Sequence, residues 1–215
     1  MNRGAISRDI KHTIIPYLDS VDELAALVSS VNTVIVRDGQ LVGYNTDAHG
    51  FRSAISRAFE SYGAPIKSAI CYGYGGVTSV VVAVLKGLGV EKIFLVGRRL
   101  EEAAKRAEEF GVDAWTAGVS AQLFVNATPV TDKPLEEAAN FLESIRGCVM
   151  AFDHEMPGAC LKTYCDENGL VHIPGVDMYY PQMHEQWSLF LEGIVDRASV
   201  PDVIAQAEGI AKTRS

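Results

Sequence analysis

From Ser68 onward, short apolar runs alternate with stretches whose apolar residues recur every three or four positions. That alternation builds a parallel sheet with helices on both faces. Ser68–Tyr72 reads as a buried strand ending in the glycine cluster Gly73-Tyr74-Gly75-Gly76. Val77–Leu88 keeps a helical period despite its valines, and Gly89 stops it. Lys92–Val96 reads as the next strand and Leu100–Phe110 as a charged amphipathic helix closed by Gly111, which completes a β-α-β unit. The alternation continues through a short strand at Val112–Trp115, a strand at Gln122–Asn126, a helix over Leu135–Ile145 and a strand at Cys148–Asp153. A helix over Leu161–Asn168, a short strand at Val171–Pro174 and helices over Tyr180–Leu191 and Val200–Lys212 follow. The pattern predicts an α/β fold with a doubly wound parallel sheet and trailing helices.

The first sixty residues read differently. Ala5–Ser7 is a strand fragment, Val21–Ser30 an amphipathic helix, and Val31–Val36 with Leu41–Tyr44 a hairpin turning at Asp38-Gly39. Such a segment is too thin to bury a core alone and needs neighbours. Over the 215 residues, 48% are hydrophobic and 21% charged, the balance of a globular chain. The net charge of −8 disfavours nucleic acid, since only Arg98-Arg99 and the tail from Lys212 to Arg214 are densely basic. Cys71, Cys148, Cys160 and Cys165 lack paired metal-ligand spacing and read as reduced thiols. His12, His49 and His184 lack such spacing too, and His154-Glu155 has no second histidine, so no metal is expected. No apolar run approaches the ~20 residues of a membrane helix, and a cytoplasmic protein is the expectation.

The glycine cluster carries the first chemistry. Between a strand and a helix, Gly73 permits a tight turn and Gly75 lets the backbone approach a pyrophosphate, which amide groups around Gly76 and Val77 at the helix N-terminus then bind. Thr78 takes the place of the third glycine of the dinucleotide fingerprint. The next strand ends Val96-Gly97-Arg98-Arg99, without the acid that holds the ribose 2′-hydroxyl of NAD. A guanidinium pairs well with an additional 2′-phosphate, so Arg98 and Arg99 point to NADP. The plainer alternatives are a structural glycine turn and two solvated arginines.

Three further markers flank this unit: Val31-Asn32-Thr33 with Gly43-Tyr44-Asn45-Thr46-Asp47, then Asn126-Ala127-Thr128-Pro129, then Gly175, Met178 and Gln182 with Gln186-Trp187. In this order around a Gly-x-Gly-Gly turn, the chain resembles the shikimate/quinate dehydrogenases, particularly their shikimate dehydrogenase-like branch, from about Gly4 to the C-terminus. The resemblance implies a lysine and aspartate as catalytic pair. Lys11, in the turn Ser7-Arg8-Asp9-Ile10-Lys11, and Asp47 occupy those places. It also implies that Ser7, Asn32 and Gln182 bind the ring hydroxyls of a shikimate-like acid, and that Asn126, Thr128 and Gly175 join the cofactor site. An ammonium beside a carboxylate suits such chemistry, because interconverting a ketone and an alcohol moves a proton at oxygen. Lys11 as a surface lysine, Asp47 as a helix cap, and Asn32 and Gln182 as structural hydrogen-bonders are the competing readings.

The resemblance further implies a strand, a helix and a serine pair ahead of the lysine turn. The sequence shows none of these, and Ala5 stands where the family places a substrate-binding asparagine. The expected organisation is therefore a truncated N-terminal α/β substrate domain (1–62), a Rossmann-type NADP-binding domain (63–176) and C-terminal helices (177–215) packing back toward the first. A homodimer covering the exposed sheet edge is the expected assembly. Two functions remain open: an NADP-dependent dehydrogenase of a cyclic polyhydroxy acid, and a catalytically silent NADP-binding module or truncated relic.

Overall fold

The computed structural model describes residues 2–7, 10–130, 134–154 and 159–214. They form two compact units, Met1–Gly50 with Tyr179–Ser215, and Phe51–Met178.

In the first unit, β1 (Arg3–Ala5) is followed by α1 (Ile10–Thr13), a single 3-10 turn at Ile15–Tyr17, β2 (Ser20–Val21) and α2 (Glu23–Val28). The hairpin of β3 (Thr33–Arg37) and β4 (Gln40–Tyr44) then leads into α3, Thr46–Tyr62. The sheet order is β1-β3-β4-β2, with β1 antiparallel to β3 and β2 parallel to β4. The hairpin turns where the sequence places it, because Asp38 (φ 52°) and Gly39 (φ 81°) both adopt the left-handed backbone that matches strand twist in a two-residue turn. Two expectations shift here. The first strand is Arg3–Ala5 rather than Ala5–Ser7, and Val21 lies in β2 rather than in the helix. The Asp22 side chain accepts from the Ala25 N–H at 2.8 Å and so caps α2; the helix cannot begin before its cap. Ala25, Val31 and Val34 form a small core with Ile6, Ile14, Ile15, Leu18 and Val21 packed on it.

The second unit holds β5 (Ser68–Tyr72), α4 (Gly76–Gly87), β6 (Lys92–Val96), α5 (Leu100–Phe110), β7 (Asp113–Ala114) and β8 (Leu123–Asn126). It continues with α6 (Phe141–Ile145), β9 (Met150–Asp153), α7 (Ala159–Asn168) and β10 (Val171–Ile173). The six strands run parallel in the order β10-β9-β8-β5-β6-β7. The chain thus winds one way from β5 to β7 and the other way from β8 to β10, as the alternation predicts. Tyr72 pairs with Val96 on one side and Asn126 on the other, so the loops after β5, β6 and β8 leave the same sheet edge at the reversal point. Open α/β sheets bind ligands at that point.

Beneath this edge, the rings of Tyr72, Phe124 and Phe141 pack together, with edge-to-face contacts of Phe141 at 4.8 Å from Tyr72 and 4.9 Å from Phe124. The helix expected over Leu135–Ile145 is broken into a 3-10 turn at Leu135–Glu137 and α6. Asn140 takes a left-handed φ of 66° between them, and its side-chain amide donates to the Gly97 carbonyl at 2.9 Å. A tertiary hydrogen bond there outweighs helical propensity.

Two helices, α8 (Val176–Phe190) and α9 (Val200–Arg214), end the chain. The first starts four residues before the expected Tyr180. Pro181 within it has no N–H for the carbonyl of Asp177. The Arg57 guanidinium donates to that carbonyl at 2.9 Å, which lets the helix continue past the proline. Among the described residues no helix is long and apolar enough to cross a membrane.

Cys71, Cys148 and Cys165 are buried, Cys160 less so, and none is in a disulfide. Burial pushes the thiols of Cys71, Cys148 and Cys165 up to about 12. The thiolate is the reactive form. A chromogenic disulfide reagent at pH 8 should therefore titrate one thiol, Cys160, quickly in the native protein and all four in denaturant. Rapid reaction of three or more native thiols would contradict this packing.

Candidate functional site

In the first unit α1, the start of α3 and the middle of α8 bring three side chains together. Lys11 Nζ donates to Asp47 Oδ2 at 2.6 Å, and Gln182 Nε2 donates to Asp47 Oδ1 at 2.6 Å. Both carboxylate oxygens are thus held from different sides. The Lys11 and Asp47 side chains keep 28% and 19% of their exposure, so the pair is sheltered yet reachable.

Local structure explains how Asp47 reaches this position. Asn45 caps α3, its side-chain oxygen accepting from the Ala48 N–H at 2.8 Å while its amide donates to the Ser30 carbonyl at 2.7 Å. Asn32 is buried, donates to Thr46 Oγ1 at 2.9 Å, and accepts from the Thr46 N–H and the Thr33 hydroxyl, each at 2.9 Å. Gln186 in turn donates to Thr33 Oγ1 at 2.9 Å. The Val31 N–H donates to the Lys11 carbonyl at 2.8 Å, which fixes the backbone that carries the lysine. Ser7 is exposed and lies outside this network; Arg8 and Asp9 of the same turn lie outside the described residues.

In the second unit the turn after β5 has the form its sequence suggests. Gly73 has φ 122°, and its N–H donates to the Val96 carbonyl at 2.8 Å. A methyl group there would meet the Thr128 methyl at 2.8 Å, so strain and space both require glycine. Gly75 caps α4 in extended backbone, and a methyl on it or on Gly76 would meet nothing within 4 Å. The glycines at 75 and 76 therefore border open space. Val77 follows on the first turn, exposed.

Thr78, in place of a third glycine, is fully buried, and its hydroxyl has no hydrogen-bond partner among the described residues. Asn126 closes the loop after β8: its side-chain oxygen accepts from the Thr128 N–H at 3.1 Å and hydroxyl at 2.7 Å, while its amide donates to the Thr128 carbonyl and to Asp153, both at 2.9 Å. The turn, Gly97, Arg98, Arg99 and Ala127–Val130 line a groove of about 460 Å³. Tyr72 at its base has a phenol pushed upward by burial, and it donates to the Ala139 carbonyl at 2.9 Å.

Arg98 and Arg99 are both exposed but not equivalent. Arg99 donates to the Tyr74 hydroxyl at 3.3 Å and pairs with Glu102 at 2.7 Å. Arg98 has no hydrogen bond or ion pair among the described residues. Gly175 sits directly ahead of α8, where its carbonyl accepts from the Met178 N–H at 3.0 Å. The structure thus brings Lys11, Asp47 and Gln182 into contact, and the glycine turn, both arginines and Thr128 into one groove. Asn32 and Asn126 are instead committed to internal bonds. The roles of Thr46, Thr33 and Tyr74 are not legible in the motifs; an aromatic residue between two glycines was the one available signal.

A groove of this size beside open glycines and an unpaired guanidinium fits a phosphorylated dinucleotide. No family model matches the chain. The chain is similar to the NADP-dependent shikimate dehydrogenase of Pelagibacter ubique, 33% identical over 135 residues, which are 61% of this chain and 50% of that enzyme. It is 30% identical over 210 residues to the shikimate dehydrogenase of Oleidesulfovibrio alaskensis, covering 92% of this chain and 73% of that enzyme. Among solved structures, the shikimate 5-dehydrogenase of Thermus thermophilus, in complex with NADP(H) and shikimate, superposes with a TM-score of 0.71 at 25% identity, covering 96% of this chain and 79% of that one. The chain spans about half the length of the first of these relatives.

Replacing Gly73 with alanine should lower the unfolding free energy by about 1–3 kcal/mol, the usual cost of a strained backbone position. Gly75→Ala should stay within about 0.5 kcal/mol of the parent, as an unstrained substitution into open space does. Chemical denaturation of both variants checks this. Equal stability of the two would show that the turn at Gly73 is not constrained as described.

Proposed function

We propose that this chain, which belongs to the shikimate dehydrogenase family, catalyses the NADP-dependent interconversion of a cyclic polyhydroxy acid of the shikimate or quinate type and its ketone. The observation that carries this reading is the Lys11–Asp47–Gln182 contact, in which a sheltered ammonium and a carboxylate are 2.6 Å apart. In the oxidation direction the substrate hydroxyl gives up a proton at oxygen, and Lys11 with Asp47 is the pair that handles it. Gln182 holds the other carboxylate oxygen, so Asp47 keeps Oδ2 toward the lysine. Ser7 supports the reading as an exposed hydroxyl for a ring hydroxyl group. Asn32 supports it by holding Thr46, and with it the start of α3, in place.

In this proposal the groove takes NADP, which supplies a hydride acceptor when bound. The amides at Gly75, Gly76 and Val77 would hold the pyrophosphate, Arg98 the 2′-phosphate, and the loop carrying Thr128 the opposite wall. The names of the relatives support the cofactor. The same reading takes the protein as a cytoplasmic homodimer, the short β1 edge being the surface a second copy covers.

The groove with its open glycines would by itself also serve a second reading, a chain that binds the dinucleotide without turnover. Assaying purified protein for shikimate- or quinate-dependent NADPH formation, beside an NADPH titration, separates the two. The first reading predicts turnover, with kcat reduced about 10²–10⁴-fold in Lys11→Ala and in Asp47→Asn, as for loss of a general acid–base group, and with unchanged NADPH affinity. Binding without turnover in the parent protein selects the second. Turnover insensitive to both substitutions would reject the assigned pair.

A further inference from the structure

The residue between the two glycines of the turn is a tyrosine, and its side chain is anchored at both ends. A methyl group on Gly97 would come within 2.5 and 2.8 Å of two ring carbons of Tyr74. The ring therefore lies against the backbone at the end of β6, and only glycine at 97 leaves room for it. At the tip, the hydroxyl accepts the Arg99 Nε–H at 3.3 Å, while the same guanidinium pairs with Glu102 at 2.7 Å. Gly97 is itself pinned, since its carbonyl accepts from Asn140 at 2.9 Å.

The ring is thus seated on fixed backbone and tethered at its tip, in a groove whose other side comes from the loop after β8. An aromatic side chain ordered before binding loses little conformational freedom when a base stacks on it. Every nucleobase offers a π-face for such stacking. Pro129 and Val130 on the loop after β8 supply apolar surface for the other face of a planar group.

We propose that Tyr74 is the stacking platform for the adenine of the dinucleotide, seated on Gly97 and steadied by Arg99, so that Arg98 is the arginine left to meet the 2′-phosphate. This rests on the groove being a dinucleotide site, the reading given above. The two arginines then divide their work. Arg99 and Glu102 brace the platform, and Arg98 discriminates between phosphorylated and unphosphorylated cofactor.

Calorimetric titration of the full chain with adenosine 2′,5′-bisphosphate, nicotinamide mononucleotide, NADPH and NADH tests this. Tyr74→Phe, which keeps the ring on Gly97 and loses only the tether at its tip, should weaken the bisphosphate, NADPH and NADH by less than Tyr74→Ala does. Tyr74→Ala should weaken the bisphosphate, NADPH and NADH alike, by about 5–100-fold, the range of one base–aromatic stack, and leave the mononucleotide unchanged. Gly97→Ala, which keeps the tyrosine but displaces its ring, should weaken the same three ligands. Arg98→Ala should differ in kind by lowering the NADPH-to-NADH preference. Unaltered or tighter binding of the bisphosphate in both Tyr74→Ala and Gly97→Ala would overturn the platform, the tighter case showing that the ring obstructs the groove. If the unaltered chain binds none of the four, the dinucleotide reading falls, and this inference with it.

Discussion

The position of one carboxylate in the first unit is set by the buried hydrogen bonds around the start of α3. Asp47 is held by Lys11, 36 residues before it, and by Gln182, 135 residues after it. A partly exposed ion pair of this kind adds about 0–1 kcal/mol to stability, so the contact is not what holds the fold together. The dependence runs the other way. The hairpin, the cap at Asn45 and the buried bonds of Asn32 to Thr46 and Thr33 fix where α3 begins. Asp47, one residue past that start, inherits its position from them.

The second unit spends its constraints on one turn. Gly73 must be glycine on two counts, backbone conformation and the Thr128 methyl. Gly75 and Gly76 face open space, so no neighbouring atom of the chain requires glycine there. Around them the bonding is generous: Val96, Gly97, Asn126 and Asn140 all tie the loops together. The exception is Thr78, whose buried hydroxyl finds no partner among the described residues. Pro181 shows the opposite case, a missing N–H whose orphaned carbonyl is served by Arg57.

The parallel sheet was legible because its signal is local: apolar runs such as Ser68–Tyr72 and Leu123–Asn126 are buried throughout most of their length, and glycines close the helices between them. Elements decided by distant partners were not. The break at Asn140 follows from its bond to Gly97, and the early start of α8 goes with a proline whose orphaned carbonyl partner, Asp177, is served by a residue 120 positions away from it. The pairing of Lys11 with Asp47 was reachable only through resemblance, since nothing in the spacing of the two residues places them in contact. Tyr74 could be seen as unusual in its turn, but its seat on Gly97 depends on how two strand ends meet. The unequal standing of Arg98 and Arg99 depends in turn on that tyrosine.

In the proposed reaction Lys11 and Asp47 serve an oxidation in which hydride passes to NADP. The most direct measurement is mass spectrometry of the dinucleotide after incubation of the purified chain with NADP and shikimate deuterated at the carbon that carries the oxidised hydroxyl. NADPH carrying one deuterium is expected, formed about 10²–10⁴-fold more slowly when Lys11 is replaced by alanine. Unlabelled dinucleotide, recovered under conditions where NADP is demonstrably bound and shikimate is in excess, would contradict it.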